Sequence, residues 1–406
     1  MRQSTRKFVF HNPHTSNWFG KPMLYHFLSR NCAVRYKHIW EYFRLHQGII
    51  YVHVDGLSFS GFRTLLFGKG IATVEFILWC IFNGHSIKNI KLIKSLDSLT
   101  EDDVLFSFAH GNFGGPYNDK IQRKVAVDQK KLIGICETVK AIKVVHLTHY
   151  MFDSDAVSRN LQIYKPDFLV AESDLSVCST LFKDLYKWYG NPFIVVPYVP
   201  QSRFQNKVAF HLRKKMAVAM GTLLYKINDA KFREKFPSGE LHPIRRLIYD
   251  NRLDLVDIID CRIMETEEKE FESKNQTFLI KLLNCFKSGQ KKYFQFDAVE
   301  MYNQYQLFMV PEEATGLPSI GFVEGMACGS VLVSSEKKIY DSLGMIPNVH
   351  YILSDGTVDG IRSAIVSALA NPDMLMKISC NGLKLVSERF SVENVCRQFF
   401  NSIRIS

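Results

Sequence analysis

Short apolar runs alternate with longer amphipathic stretches along the first half of the chain. Runs of four to six apolar residues are typical of buried strands, and a repeat of three to four residues is typical of helices. Their alternation predicts a parallel sheet covered by helices on both faces. The predicted strands span residues 7–11, 49–54, 90–93, 104–109, 142–147, 168–171 and 193–196, and helices are predicted at residues 21–46, 71–83 and 176–189.

The second half repeats this alternation after an extended, proline-bearing segment at residues 197–204, which we interpret as a linker between domains. A second parallel sheet is therefore predicted. Its strands are expected at residues 216–220, 255–259, 293–296, 308–310, 331–333 and 351–353. Helices are expected at residues 358–370 and from Ser391 to about residue 403.

Length and composition agree with two domains in one globular chain. With 406 residues the chain exceeds what a single core usually fills. No apolar run reaches the roughly 20 residues that span a bilayer, and the basic start is not followed by a signal-type apolar segment. The nine cysteines occur singly, without C-x-x-C pairs, as in a reducing compartment. We therefore expect a cytoplasmic protein.

Positive charge is concentrated in the second half. Residues 201–252 contain twelve Lys or Arg residues and four acidic residues, in a chain whose net charge is +11. A basic surface suits phosphates, anionic lipid headgroups or nucleic acid. Charge alone does not choose among these ligands.

The segment from Glu313 to Gly329 carries the clearest candidate chemistry. It places two carboxylates around a Gly-rich turn between two apolar strand patterns. Ligands bind at the carboxyl edge of parallel sheets, where a helix N-terminus offers free N–H groups to phosphate. A diphosphate could therefore dock on the amides of Ser319, Ile320, Gly321 and Phe322, and Glu324 could accept the hydroxyls of a ribose. The alternative is a strand–helix turn with a capping acid.

This segment resembles the signature of the GT-B glycosyltransferases of glycosyltransferase family four, which reads E-G-F-G-L-P followed by E-A-M-A-C-G. Residues 313–318 (EATGLP) and 324–329 (EGMACG) match its two halves, with ten residues between the glutamates, three more than usual. Further likenesses follow in order at residues 348–355, 370–373 and 389–394. In the first half, residues 103–110 and 144–149 resemble two strands of the family that carry histidines.

The resemblance implies two Rossmann-like domains facing a central cleft. Residues 1–200 would form the acceptor domain and residues 201–388 the donor domain, while residues 389–406 would form a helix that crosses back to the first domain. It also implies transfer of a sugar from a nucleotide diphosphate with retained configuration, without a metal or cofactor. Glu324 would bind the ribose. Glu313 would face the donor sugar and His110 would approach that sugar from the other domain, so both are catalytic candidates.

The resemblance does not supply every cation that would bind the diphosphate. The family's G-R-L followed by K-G is here Gly221-Thr-Leu-Leu-Tyr-Lys226, which lacks the arginine. Lys226 remains a candidate for the β-phosphate, and Arg245 or Arg246 could replace the arginine. Candidate contacts to the acceptor or donor sugar are Gly20, Asn112 and His149. For His110 itself, a strand-end histidine bonded to backbone is the alternative interpretation.

Asp153-Ser154-Asp155 forms a D-x-D pattern, which binds a metal in the other main glycosyltransferase fold. Here it follows a His-Tyr-Met-Phe run in a predicted loop. We interpret it as a chance occurrence or as an N-cap of the next helix.

These observations predict a glycosyltransferase of surface polysaccharide or glycolipid synthesis, with a glycan or lipid-linked acceptor. The aromatic and basic stretch at residues 25–44 could rest on an anionic membrane surface, although an amphipathic helix of the first domain explains it equally. A glycosyltransferase acting on nucleic acid and a catalytically inactive partner subunit are the alternatives. We find no recognition motif for nucleic acid and expect no such partner.

Overall fold

The computed structural model of the protein describes residues 6–11, 37–53, 77–78, 80–81, 84–114, 138–147, 149–223, 226–265 and 296–403. The predicted helix at residues 21–46 is described only from residue 37. Most of the predicted helix at residues 71–83 and of the predicted strand at residues 293–296 lies outside the described residues, as does Gly20.

The first half forms a seven-stranded parallel sheet in the order β3-β2-β1-β4-β5-β6-β7. Each strand predicted in this half is present, with bounds that shift by one residue at most. Both faces are buried, because alternate residues such as Val9 and Phe10 belong to two different core clusters. The strands are Phe8–His11 (β1), Ile50–His53 (β2), Ile90–Ile93 (β3), Val104–Phe108 (β4), Ile142–His146 (β5), Phe168–Ala171 (β6) and Phe193–Val195 (β7).

Helices cover this sheet, with one correction to the prediction. The helix expected at residues 176–189 is two short helices, because the Ser179 side chain accepts the N–H of Phe182 at 3.1 Å and begins a new helix. The helices of the first half are Lys37–Leu45 (α1), Ala109–Phe113 (α2), Ser154–Tyr164 (α3), Leu175–Cys178 (α4) and Thr180–Leu185 (α5).

The second half forms a five-stranded parallel sheet in the order β12-β11-β10-β8-β9. The strand predicted at residues 255–259 is wrong. Leu255 and Ile258 are buried in the core, but their backbone forms turns, with Ile258 N–H bonded to Leu255 carbonyl at 3.1 Å. The strands are Lys214–Leu223 (β8), Ile259–Glu265 (β9), Tyr305–Met309 (β10), Val331–Ser334 (β11) and Ile352–Leu353 (β12).

The last helix of the second half returns to the first sheet. Ser391 caps it by accepting the N–H of Asn394 at 3.2 Å, and Cys396 and Phe399 are buried in the cluster that contains Phe8 and Trp40. The predicted domain boundaries at residues 200 and 388 stay predictions. The helices of this half are Ala230–Lys235 (α6), Pro243–Asp250 (α7), Ala298–Gln304 (α8), Gly321–Ala327 (α9), Lys337–Ser342 (α10), Val358–Leu369 (α11), Pro372–Arg389 (α12) and Val392–Ser402 (α13).

The two halves pack directly on each other. Ile227, Phe232 and Leu317 of the second half belong to the same apolar cluster as the core side chains of the first half. Asp229 joins the halves by polar contacts: its carboxylate accepts the N–H of Phe232 at 2.9 Å and the hydroxyl of Ser154 at 2.7 Å. Within the described parts of the chain, no helix is long and apolar enough to cross a membrane.

Candidate functional site

The carboxyl ends of β8 and β10 meet at the centre of the second sheet, and helix α9 begins beside them. Two glycines allow this helix to lie close to the strand. A Cβ at Gly321 would stand 2.6 Å from the Tyr302 hydroxyl, and one at Gly325 would stand 2.7 Å from a ring carbon of Phe308. Gly329 then ends the helix with φ +76°. The predicted strand–turn–helix unit is therefore present at the predicted edge.

Glu324 occupies the first turn of α9 and is half-buried. It lies close to Tyr302, whose pKa is raised by burial and, to a smaller extent, by the negative charge of Glu324. The side chains of the preceding Ser319 and Ile320 are half-exposed, whereas Gly321 and Phe322 are buried. A carboxylate therefore stands one turn after the start of the helix, where the sequence predicted a ribose contact.

Glu313 lies on a tight loop between β10 and α9. Its N–H donates to the carbonyl of Leu317 at 2.9 Å, and its carbonyl accepts the N–H of Gly316 at 3.0 Å. The Thr315 hydroxyl donates to the Glu313 carboxylate at 2.9 Å. The loop therefore fixes both the backbone and the carboxylate of Glu313.

Arg245 on α7 places a buried cation between the ends of these strands. Its guanidinium donates to the carbonyls of Thr222 at 2.8 Å and Pro311 at 3.1 Å, while its Nε has no hydrogen-bond partner among the described residues. Burial lowers the pKa of Arg245 to about 10, against the opposing charges of Glu313 and Glu312. A buried cation bonded only to carbonyls is costly unless an anion compensates it.

Gly221 makes room for this guanidinium at the end of β8. A Cβ at Gly221 would stand 2.6 Å from the central carbon of the Arg245 guanidinium, and the glycine has φ +145°. Any other residue at this position would displace the arginine. The motif resemblance implied a nucleotide-binding role for Gly221, and the structure places Gly221 against Arg245.

Arg246 and Lys226 lie in a different environment from Arg245. Both contact the Glu240 carboxylate at 3.6 Å, and Arg246 also donates to Glu265 at 3.0 Å. These carboxylates neutralise the two cations. Of the three predicted cations, Arg245 is the buried one.

Glu312, the residue directly after Pro311, was not among the predicted site residues. Its carboxylate is buried and accepts the hydroxyls of Ser334 and Tyr340, each at 2.6 Å. Burial raises the pKa of Glu312, whereas these two hydrogen bonds act in the opposite direction. The sequence signal that could have revealed Glu312 is its position beside Glu313, directly after an apolar strand pattern.

The first sheet presents the remaining predicted residues at its own carboxyl edge. His110 lies in α2, immediately after β4. Asn112 of the same helix is buried, and neither atom of its amide has a hydrogen-bond partner among the described residues. His149 follows β5 with a left-handed backbone at φ +51°. These residues follow the ends of neighbouring strands, at one edge of the first sheet.

Further buried histidines at this edge were not anticipated. His11 and His53 end β1 and β2, and their Nδ1 atoms are 3.0 Å apart. His146 ends β5, and its Nε2 lies 3.9 Å from the carboxylate of Glu172. Their common position as the last residue of an apolar strand is the signal that could have identified them.

The D-x-D pattern differs from its predicted capping role. Asp153 occupies the N-cap of α3, but its side chain makes no capping bond; the Ser154 N–H donates instead to Asp229 at 2.9 Å. Asp155 is exposed, with Arg159 at 3.9 Å. In the described portion of the chain, no three His, Cys, Asp or Glu side chains are grouped to hold a metal ion.

The chain is similar to known proteins in its fold, not in its sequence. No protein-family model matches the chain, and no curated protein matches it in sequence. Alr3699/HepE from Anabaena, crystallised in complex with UDP, is similar with a TM-score of 0.52 at 11% identity, over 98% of this chain and 99% of that chain. Sucrose-phosphate synthase from Thermosynechococcus elongatus is similar with a TM-score of 0.50 at 9% identity, over 98% of each chain.

The two parallel sheets, the returning terminal helix and these likenesses define a two-domain, Rossmann-like GT-B fold. The helices expected to lie on both faces of each sheet are present. The candidate site lies at the carboxyl edge of the second sheet, which is the edge where doubly wound sheets bind their ligands.

Proposed function

We propose that this protein is a glycosyltransferase that moves a sugar from a nucleotide diphosphate to an acceptor hydroxyl. The observation that carries the proposal is Arg245, a buried cation bonded only to carbonyls at the carboxyl edge of the donor-type sheet. Glu313 and Glu312 act on this cation only through their charge, and a diphosphate would add direct charge-assisted hydrogen bonds to it. The presence of UDP in the structurally similar HepE supports the same choice of ligand.

The proposal gives each predicted residue one role. Glu324 accepts hydrogen bonds from the ribose hydroxyls, and Arg245 binds the diphosphate. As the sugar departs, negative charge develops on the leaving diphosphate, and a fixed cation stabilises that charge most strongly in a water-poor site. Glu313 faces the donor sugar, and His110 approaches it from the first half.

Arg245 replaces the arginine that is missing beside Gly221 in the family pattern. Its guanidinium reaches the same strand end from α7, directly against the Gly221 backbone. Lys226 and Arg246 lie farther out, bound to Glu240, and are proposed as secondary cations. This arrangement supports membership of glycosyltransferase family four with a retaining, metal-independent reaction, which remains a proposal.

The acceptor is proposed to be a glycan or a lipid-linked sugar in surface polysaccharide or glycolipid synthesis. Association with an anionic membrane is part of this proposal. Within the stretch at residues 25–44, Trp40 is buried and Phe43 packs beside Phe10 in the core, whereas Arg44 is exposed, and residues 25–36 lie outside the described residues. Sedimentation with anionic vesicles at low and high salt tests it, and absence of binding at low salt contradicts it.

A thermal-shift comparison of nucleoside diphosphates with the matching monophosphates tests the enzymatic proposal. A ligand at about 100 times its dissociation constant stabilises the folded state by about 2.7 kcal/mol. We expect one diphosphate among UDP, GDP, ADP and TDP to raise the melting temperature more than its monophosphate does, because only the diphosphate reaches Arg245. Equal melting temperatures with every diphosphate and without ligand would contradict the proposal.

A further inference from the structure

Two hydrogen bonds from the first half hold the loop that carries Glu313. The Tyr150 hydroxyl donates to the carbonyl of Thr315 at 3.0 Å, and the Ser173 hydroxyl donates to the carbonyl of Gly316 at 2.6 Å. Tyr150, Ser173 and Thr315 are fully buried. Separation of the two halves would therefore break both hydrogen bonds at once.

The loop also fits sterically against the first half. Gly316 has φ +88°, and a Cβ on it would stand 3.2 Å from the backbone of Cys178 and from Ser179. Ser179 is itself hydrogen-bonded to the Tyr150 hydroxyl at 2.8 Å. The following Leu317 is buried in the apolar cluster of the first half. The loop is thus seated on the junction between α4 and α5.

The position of the loop determines the position of the carboxylate. The Thr315 hydroxyl donates to Glu313 Oε2, and the Glu313 backbone is bonded to Gly316 and Leu317. The first half holds Thr315, Gly316 and Leu317. Each of these three residues is also hydrogen-bonded to Glu313. Burial raises the pKa of Tyr150, so its hydroxyl remains a neutral donor.

We propose that Tyr150 and Ser173 are positioning residues, which couple the approach of the two halves to the placement of Glu313 beside the donor sugar. The role of Glu313 in this inference rests on the proposed function. The anchoring of the loop does not, and it can be tested without a substrate.

Hydrogen exchange of the loop tests the anchoring, with Tyr150→Phe as the main variant. The amides of Glu313, Ala314 and Gly316 are hydrogen-bonded in the closed loop, and we expect them to exchange about tenfold faster when the buried hydrogen bond from Tyr150 to the loop is lost. Ser173→Ala is the second variant and should have the same effect. Unchanged exchange in a folded Tyr150→Phe or Ser173→Ala protein would overturn the anchoring.

Tyr186→Phe is the matched control. Its ring lies 6.1 Å from that of Tyr150 in the same buried cluster, but its hydroxyl has no hydrogen-bond partner among the described residues. Removing this hydroxyl should leave exchange of the loop unchanged. Faster exchange of the loop in Tyr186→Phe would show that general loosening of the buried cluster accelerates exchange. That result would overturn the specific role of Tyr150.

Release of nucleoside diphosphate from UDP- and GDP-sugars separates this inference from the proposed function. Tyr150→Phe should lower kcat about tenfold and leave UDP or GDP affinity within about twofold, because Arg245 and Glu324 are unaltered. Absence of diphosphate binding by the native protein contradicts the proposed function alone. Equal kcat of the native protein and the variant overturns the positioning role alone.

Discussion

The guanidinium of Arg245 fills the space in which a side chain at Gly221 would begin, with 2.6 Å between its central carbon and the position of that Cβ. The glycine at the end of β8 and the arginine on α7 are thus one structural unit. The glycine permits the arginine to lie across the strand end, and the arginine donates to the carbonyl of the next residue, Thr222. The nucleotide site that we propose depends on this pair.

Gly221→Ala should damage both stability and ligand binding. The alanine must adopt φ +145° and its Cβ must displace Arg245, so we expect a loss of about 1–3 kcal/mol in the free energy of unfolding. Affinity for the nucleoside diphosphate should fall about tenfold or more, because the displaced guanidinium no longer faces the diphosphate. Chemical denaturation and calorimetric titration measure the two effects.

Gly190→Ala is the control for this variant. No atom lies within 4 Å of the Cβ that would be added at Gly190, and its φ is not among the positive values. Stability and affinity should stay close to the native values. A loss of affinity here as large as at Gly221 would contradict the proposed pairing with Arg245.

Glu324→Gln should weaken nucleotide binding more than it weakens folding. The carboxylate is half-buried and is proposed to accept both ribose hydroxyls, so its loss should cost about 1.5–3 kcal/mol of binding free energy. Glu300→Gln on α8, where the carboxylate is exposed and bonded to Gln304 at 2.8 Å, is the control. Equal nucleotide affinity of the two variants would refute the ribose role.

His110→Ala should slow sugar transfer while nucleotide affinity remains nearly native. His110 follows the end of β4 in the first half, whereas the proposed nucleotide site lies on the second sheet. Release of nucleoside diphosphate from a sugar donor measures the effect, with the exposed His211→Ala as the control. Native turnover in His110→Ala would remove it from the catalytic assignment.

Acidification should destabilise the protein through buried histidine. Burial lowers the pKa of His38 to about 4, below the value near 6.5 of the unfolded chain. Above about pH 7.5 His38 is almost entirely neutral in both states and has little effect on stability. Between pH 6.5 and 4 the unfolded state binds a proton that the folded state excludes, so stability falls as pH falls, by about 1–2 kcal/mol from pH 6.5 to 5.

His38→Gln removes this titration, since glutamine is neutral throughout. Its free energy of unfolding, measured by urea denaturation, should decline less steeply below pH 6.5 than that of the native protein. The exposed His211→Gln should retain the native slope. Equal slopes in all three proteins would show that His38 is not the source of the pH dependence.

Apolar patterning was sufficient to predict the first sheet because its strands β1, β4 and β6 are buried on both faces and read as continuous apolar runs. The strand predicted at residues 255–259 is wrong for a physical reason. Leu255 and Ile258 are buried in the core, but they lie in turns. Apolar residues at this spacing occur in both turns and strands, so their pattern does not distinguish the two. The helix at residues 176–189 was divided by Ser179, whose side chain can begin a helix as readily as it continues one.

The structure of the candidate site was predictable where it depends on local sequence. The glycines of α9 and the position of Glu324 follow from one continuous motif. The contribution of Arg245 depends on how α7 packs across β8, and the buried bonds of Glu312 depend on Ser334 and Tyr340, more than twenty residues away along the chain. The partners that long-range packing brings to Arg245 and Glu312 cannot be identified from a local pattern in the sequence.

Calorimetric titration of Arg245→Met and Arg246→Met with a nucleoside diphosphate tests the central claim most directly. Arg245 is buried with carbonyl partners only, whereas Arg246 is already bonded to Glu265 and lies 3.6 Å from Glu240. We predict that Arg245→Met loses at least about tenfold in affinity, since a charge-assisted contact to phosphate is removed. Arg246→Met should stay within about threefold of the native protein. Native affinity in a folded Arg245→Met protein would contradict the account.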